Sequence, residues 1–242
     1  MRRTSTTFAA VAGIFAIALT ACGGGGGGGS AAPPPATTYD LQTGISNLVR
    51  QGQTGNVALS GTALVNGNPV SFTGTGTLTL APSVAATFNN TAALSQTQTI
   101  AATITAAGQT TSLSASVVNY YDSGNDAFLA ETSHVTYDVA QSPFTYPTMV
   151  VGGSTGTLGT ISNYTDSTMS VSVGTTEVTY AVTAPVDPGS PILVKVTNLS
   201  KDPMGNVTET DVTSYTLTGG GILTLTSESL QNRDSSLLAT VQ

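Results

Sequence analysis

Asp122, Asn125, Asp126 and Glu131 place four oxygen-bearing side chains in one short stretch. Oxygen ligands at close spacing are what a calcium ion takes. Their spacing is not that of an EF-hand, and Asp122-Ser123-Gly124-Asn125 is equally the composition of a tight turn. The expectation is no metal site, with these four residues the only candidates for one. Gly152-Gly153-Ser154-Thr155-Gly156 matches G-x-S-x-G, which in a nucleophile elbow exposes an activated serine between a strand and a helix. Here Gly156-Thr157-Leu158-Gly159-Thr160-Ile161 follows and reads as a strand, and the single histidine, His134, precedes the serine. A β-turn is therefore expected at Ser154. His134 has no second histidine or free thiol with which to form a zinc site, and reads as a strand-end residue. Phosphate-binding glycine loops are absent. The carboxylate pairs that glycoside hydrolysis needs are not evident, because the acids lie mostly in predicted turns. No catalytic residue and no cofactor is expected.

One further nucleophile is Cys22, the only cysteine among 242 residues. It has no disulfide partner within the chain. What precedes it gives it a different chemistry. Met1–Thr7 carries Arg2 and Arg3 and no acid, and Phe8–Leu19 is almost wholly apolar. That apolar run is too short to span a bilayer, which takes roughly 20 residues, and reads as a secretory leader. Leu19-Thr20-Ala21-Cys22 resembles the lipobox of bacterial lipoproteins. The resemblance implies cleavage between Ala21 and Cys22, a diacylglyceryl thioether on Cys22 and an acyl group such as palmitate on the new amino terminus. Each buried methylene contributes about 0.8 kcal/mol, so two or more chains anchor stably. Residue Gly23, rather than Asp, follows the cysteine. In the lipoprotein pattern that departure implies the outer membrane of a Gram-negative cell, with the body facing the periplasm or the surface.

Gly23–Gly29 is an unbroken glycine run, followed by Ser30-Ala31-Ala32 and Pro33-Pro34-Pro35. Residues 22–38 read as a tether, flexible through the glycines and stiffer through the prolines, with a reach of roughly 20 Å. Glycine runs at this place also occur in surface lipoproteins similar to the transferrin-binding and factor-H-binding types.

The remaining chain is charge-poor. Only 8% of the residues are charged, and with Arg2 and Arg3 removed four basic residues face thirteen acids. Ser, Thr, Asn and Gln supply the polarity, as in secreted β-proteins. An acidic surface excludes nucleic acid and anionic headgroups as natural partners.

These residues must be positioned by strands. A short helix is expected within residues 39–54, capped by Asp40, striped by Leu41, Ile45, Leu48 and Val49, ended by Gly52 and weakened by Gly44. It reads as a plug at one end of the body. Residues 55–242 alternate apolar and hydroxyl residues, as in Ile100-Ala102-Ile104, Leu113-Ala115-Val117, Val135-Tyr137-Val139, Met169-Val171-Val173, Val178-Tyr180-Val182 and Leu223-Leu225. Such runs give antiparallel strands with one face on a core and one in water. Thr73, Thr75, Thr77 and Thr79 would line a wet face. Turn signals separate the runs, and Asn66-Gly67 is the strongest, because a type I′ turn needs two positive φ angles. Asn119–Ser123 is echoed by Asn163–Ser167, and Val135–Val139 by Val178–Val182, either through a duplicated β-unit or through shared hairpin chemistry. Ser142–Pro147 is the best internal boundary. It links two β-subdomains or crosses between sheets.

The fold class expected is all-β, an antiparallel sandwich or soluble β-barrel of roughly twelve strands, preceded by one short helix. A membrane-spanning barrel is disfavoured by the lack of tryptophan and of aromatic girdles. The expected function is a membrane-anchored envelope lipoprotein whose β-domain binds or scaffolds an envelope protein or glycan without catalysis. A tethered secreted hydrolase and a surface adhesin or receptor module are the alternatives.

Overall fold

The computed structural model describes residues 37–133, 136–187 and 189–242. The leader, Ala21, Cys22, the glycine run, His134 and Val135 lie outside the described residues.

Helix α1 covers Leu41–Gln51. Asp40 caps it, one carboxylate oxygen accepting from the Thr43 N–H at 2.9 Å. Gly52 ends it at φ 69°, its N–H donating to the Leu48 carbonyl. Leu41, Leu48 and Val49 are buried, as their helical spacing requires. Gly44 is not a weakness. A Cβ there would stand 2.9 Å from Leu217 Cδ1 and 3.2 Å from Leu223 Cβ, so its absence lets the helix seat against the barrel.

Thirteen strands follow: β1 (Gln53–Val65), β2 (Asn68–Leu80), β3 (Val84–Phe88), β4 (Thr91–Ala106), β5 (Gln109–Asp122), β6 (Phe128–Thr132) and β7 (Tyr137–Ala140). After a loop come β8 (Thr155–Tyr164), β9 (Ser172–Thr183), β10 (Ile192–Lys201), β11 (Val207–Leu217), β12 (Leu223–Asn232) and β13 (Ser235–Val241). Both β2 and β3 pair with β4, from Phe72↔Ala106 to Leu80↔Gln98 and from Val84↔Ser95 to Phe88↔Thr91. They form one long strand broken at Ala81-Pro82-Ser83. Every other strand pairs antiparallel with its sequence neighbours, and β13 pairs back onto β1 from Val57↔Val241 to Ala63↔Ser235. The result is a closed antiparallel barrel of twelve strands, in which only the short β3 is paired on one side alone.

The turns match their residues. Asn66 and Gly67 have φ 53° and 80° between paired Val65 and Asn68. Asn89-Asn90 and Ala107-Gly108 repeat the two positive φ angles.

Faces follow from register. Near α1 the inward positions are apolar: Val57, Leu80, Val182, Ile192, Leu217 and Leu223 are buried there with Tyr39, Leu41 and Leu48. The helix plugs this end, and Tyr39 bridges to Val150 through two backbone hydrogen bonds. Farther along the same strands, inward positions turn polar. Thr73, Thr75 and Thr77 face outward and are exposed.

Four expectations change. Val135-Tyr137-Val139 was expected to face the core, but Tyr137 and Val139 pack on the outer wall with Phe88, Ala93 and Ala130, and Asp138 points inward. Met169-Val171-Val173 is not a core stripe. Met169 lies in the β8–β9 loop at φ 53°, and all three are exposed. The echo does not place its residues alike, because Tyr180 packs inside while Tyr137 packs outside. Ser142–Pro147 lies between adjacent strands β7 and β8 of one barrel, with Phe144 buried over Gly159.

Candidate binding site in the barrel lumen

The sequence candidates come first. Asp122, Asn125 and Asp126 form a turn at the plugged end. One Asp122 carboxylate oxygen accepts from the N–H groups of Gly124 and Asn125, at 2.8 and 3.1 Å. Asn125 Oδ1 accepts from the Ala127 N–H. The Asp126 carboxylate is held by Arg50 through two hydrogen bonds of 3.0 and 2.9 Å. Glu131 is not with them, because it stands on β6 facing the lumen. Among the described residues no group of three His, Cys, Asp or Glu side chains is placed to hold a metal ion. Ser154 closes a turn, its Oγ accepting from the Val151 N–H at 3.0 Å, and β8 rather than a helix follows.

The lumen itself holds a feature that sequence reasoning missed. A cavity of about 340 Å³ occupies the polar half of the barrel. Five carboxylates line it: Glu131 on β6, Asp138 on β7, Glu209 and Asp211 on β11, and Glu228 on β12. Strand pairing sets them face to face. Glu131 pairs with Asp138 across neighbouring strands, and Glu209 and Asp211 are two residues apart on one strand, hence on one face. Apolar side chains such as Leu78, Ile100 and Leu113 form the opposite wall.

Amides hold these acids. Asn198 Nδ2 donates to Asp211 Oδ2 at 2.7 Å, Asn163 Nδ2 to Asp138 Oδ1 at 2.9 Å and Gln98 Nε2 to Glu228 Oε2 at 3.3 Å. Thr176 Oγ1 then donates to Asn163 Oδ1, fixing its amide. Asp211 Oδ1 is buried and has no hydrogen-bond partner.

Among the described residues no Lys or Arg offsets this charge. Of the four Lys and Arg side chains among the described residues, Arg50 pairs with Asp126 and Lys201 with Glu177, while Lys195 and Arg233 are exposed. Burial therefore raises every one of the five carboxyls. Glu131 is pushed up to about 7 by burial first and then by Asp138 and Glu228. Burial likewise lifts Glu209 to about 7. Asp211 is raised well above the ordinary carboxylate range by burial and then by Glu228, and Glu228 and Asp138 are raised by burial against the hydrogen bonds they accept. Desolvation disfavours an unpaired charge, and neighbouring like charges add to it. The chamber thus disfavours ionisation of all five acids at once.

No family model matches the chain, and no curated protein or solved structure matches it either.

Proposed function

We propose that this chain is a lipid-anchored lipoprotein of the bacterial outer membrane whose barrel is a non-enzymatic binding module, with the lumen as its ligand chamber. One observation carries the reading: the barrel is packed with apolar side chains at the helix end and hollow at the other. A scaffold needs no void, and a well-packed interior leaves few larger than a water molecule. A cavity of about 340 Å³ falls within the range of small-ligand sites. The leader, the lipobox and Cys22 support the anchor. Tyr39 joins the barrel at the plugged end, and the cavity lies toward the other.

Two measurements test this reading. Intact mass of the product from its native host is expected to show fatty acid on residue 22 and nothing before it, with the Cys22→Ser variant released from membranes. An uncleaved leader or a bare thiol contradicts the anchor. Steady turnover of an envelope glycan or ester by the purified chain, lost in Ser154→Ala, contradicts the non-enzymatic reading and favours the tethered hydrolase.

A further inference from the structure

We propose that the lumen is a site for a small aliphatic amine, a diamine or short polyamine, whose ammonium group is received by Asp211 and Glu228 while its methylenes lie on the apolar wall. The inference rests on the reading of the lumen as a ligand chamber and names what enters it.

Asp211 Oδ1 points to a missing donor. It is buried, belongs to a residue that lines the cavity, and accepts nothing, although Oδ2 of the same carboxylate is held by Asn198 at 2.7 Å. A buried acceptor without a partner is costly, of order 1–3 kcal/mol, and is uncommon in folded chains. An N–H donor from a guest supplies what this oxygen lacks. Glu228 stands beside it on the neighbouring strand β12, facing the same space, and receives only a 3.3 Å bond from Gln98. Glu131, Asp138 and Glu209 face the same cavity, and no Lys or Arg among the described residues enters it. The charges that the described residues bring to it are therefore of one sign.

The guest is an organic cation rather than a metal ion. No three acidic side chains gather into a shell among the described residues, so the carboxylates are spread along the chamber. A flexible chain with a charge at each end can reach separated carboxylates where a single ion cannot. Leu78, Ile100, Leu113 and Leu237 give that chain an apolar surface, while the carboxylates take its ends. Among the described residues the cavity lining has no aromatic side chain, although Tyr215 is near Glu228 and Asp211, and this speaks for a hydrogen-bonding primary ammonium over a quaternary one, since the latter prefers aromatic faces.

Binding expels protons. The empty chamber keeps some carboxyls protonated near neutrality, and an ammonium favours their ionised form, so affinity must rise with pH between about 5.5 and 8. The proton leaves to solvent, and the guest keeps its own.

Isothermal titration of the full chain with 1,5-diaminopentane, 1,5-pentanediol, calcium chloride and a fluorescent fatty acid tests the assignment. The expected result is diamine binding at pH 8 that weakens at pH 5.5, with the isosteric diol at least about tenfold weaker, the ratio of a lost charge-assisted hydrogen bond. Asp211→Asn and Glu228→Gln are each expected to weaken the diamine about tenfold or more. Their melting temperatures should be at or above that of the parent, which separates lost binding from lost folding. Glu177→Gln, whose parent pairs with Lys201 away from the lumen, should bind like the parent. Equal affinity for diol and diamine, unchanged diamine affinity in both lumen variants, or calcium binding without diamine binding overturns the proposal. Binding of the fatty acid alone overturns the amine but keeps the chamber. Binding of none of the four overturns both.

Discussion

Glu131 and Glu209, each lifted by burial to about 7 from an ordinary 4.5, make stability depend on pH in a defined direction. Between those values the folded chain binds more protons than the unfolded one. The free energy of unfolding therefore falls as pH rises from about 4.5 to about 7 and levels off above. Asp138, Asp211 and Glu228 are raised as well and act in the same sense. Asp166 and Asp202, lowered by hydrogen bonds in their turns, act below the ordinary Asp range and leave this window untouched. Calorimetry of the ligand-free chain should show a melting temperature that declines from pH 5 to pH 8. The decline should be shallower in the Glu131→Gln/Glu209→Gln double variant, and a melting temperature that rises over this range contradicts the assignment. Asp211→Asn removes a buried carboxyl that burial and Glu228 make hard to ionise and that no Lys or Arg among the described residues offsets. Its unfolding free energy by urea titration should rise by about 1 kcal/mol. The acids were visible in the sequence, but their faces were not. Alternation identifies two faces without saying which is inside. In β7 the outward side is the apolar one, because Tyr137 and Val139 cover Ala130 beside Phe88, and this inverted the assignment of Asp138. The readable signal was Glu209-Thr210-Asp211, two acids two apart in a strand, where a turn would not keep them on one face.

At the scale of elements, caps and turns were the most legible features, because their chemistry is local. Asp40, Gly52 and Asn66-Gly67 each do what their residue types allow. Gly44 was misread for the same reason. Helix propensity charges glycine roughly 1 kcal/mol, but the Leu217 and Leu223 side chains that need its missing Cβ come from distant strands. Gly44→Val should lower the unfolding free energy by about 1–3 kcal/mol, measured by urea titration, because the helix must lift off the barrel end. Propensity alone gives the opposite sign, so a stabilised variant refutes the close seating. The Met169-Val171-Val173 alternation failed because a two-residue period is also reached by chance in a Val- and Thr-rich loop. Met169 at φ 53° breaks the strand there, and β9 begins only at Ser172.

At the scale of the molecule, strand number was legible from the turn signals, whereas closure was not. Sandwiches and barrels use the same alternating strands, and the choice depends on whether the last strand meets the first. Here Val57 meets Val241 and Ala63 meets Ser235, pairings between the two ends of the domain that no local pattern encodes. Closure has a consequence for function. Twelve strands enclose more space than the apolar side chains and α1 fill, and the remainder is the acidic cavity. Carbon-detected titration of the side-chain carboxyls in the ligand-free full chain tests that secluded chamber most directly. The account requires Glu131 and Glu209 to titrate near 7, well apart from surface acids such as Asp166 and Asp202, and to shift downward when diamine is added. Titration of every carboxyl in the ordinary range below about 5 would mean a lumen open to bulk water, and would contradict it.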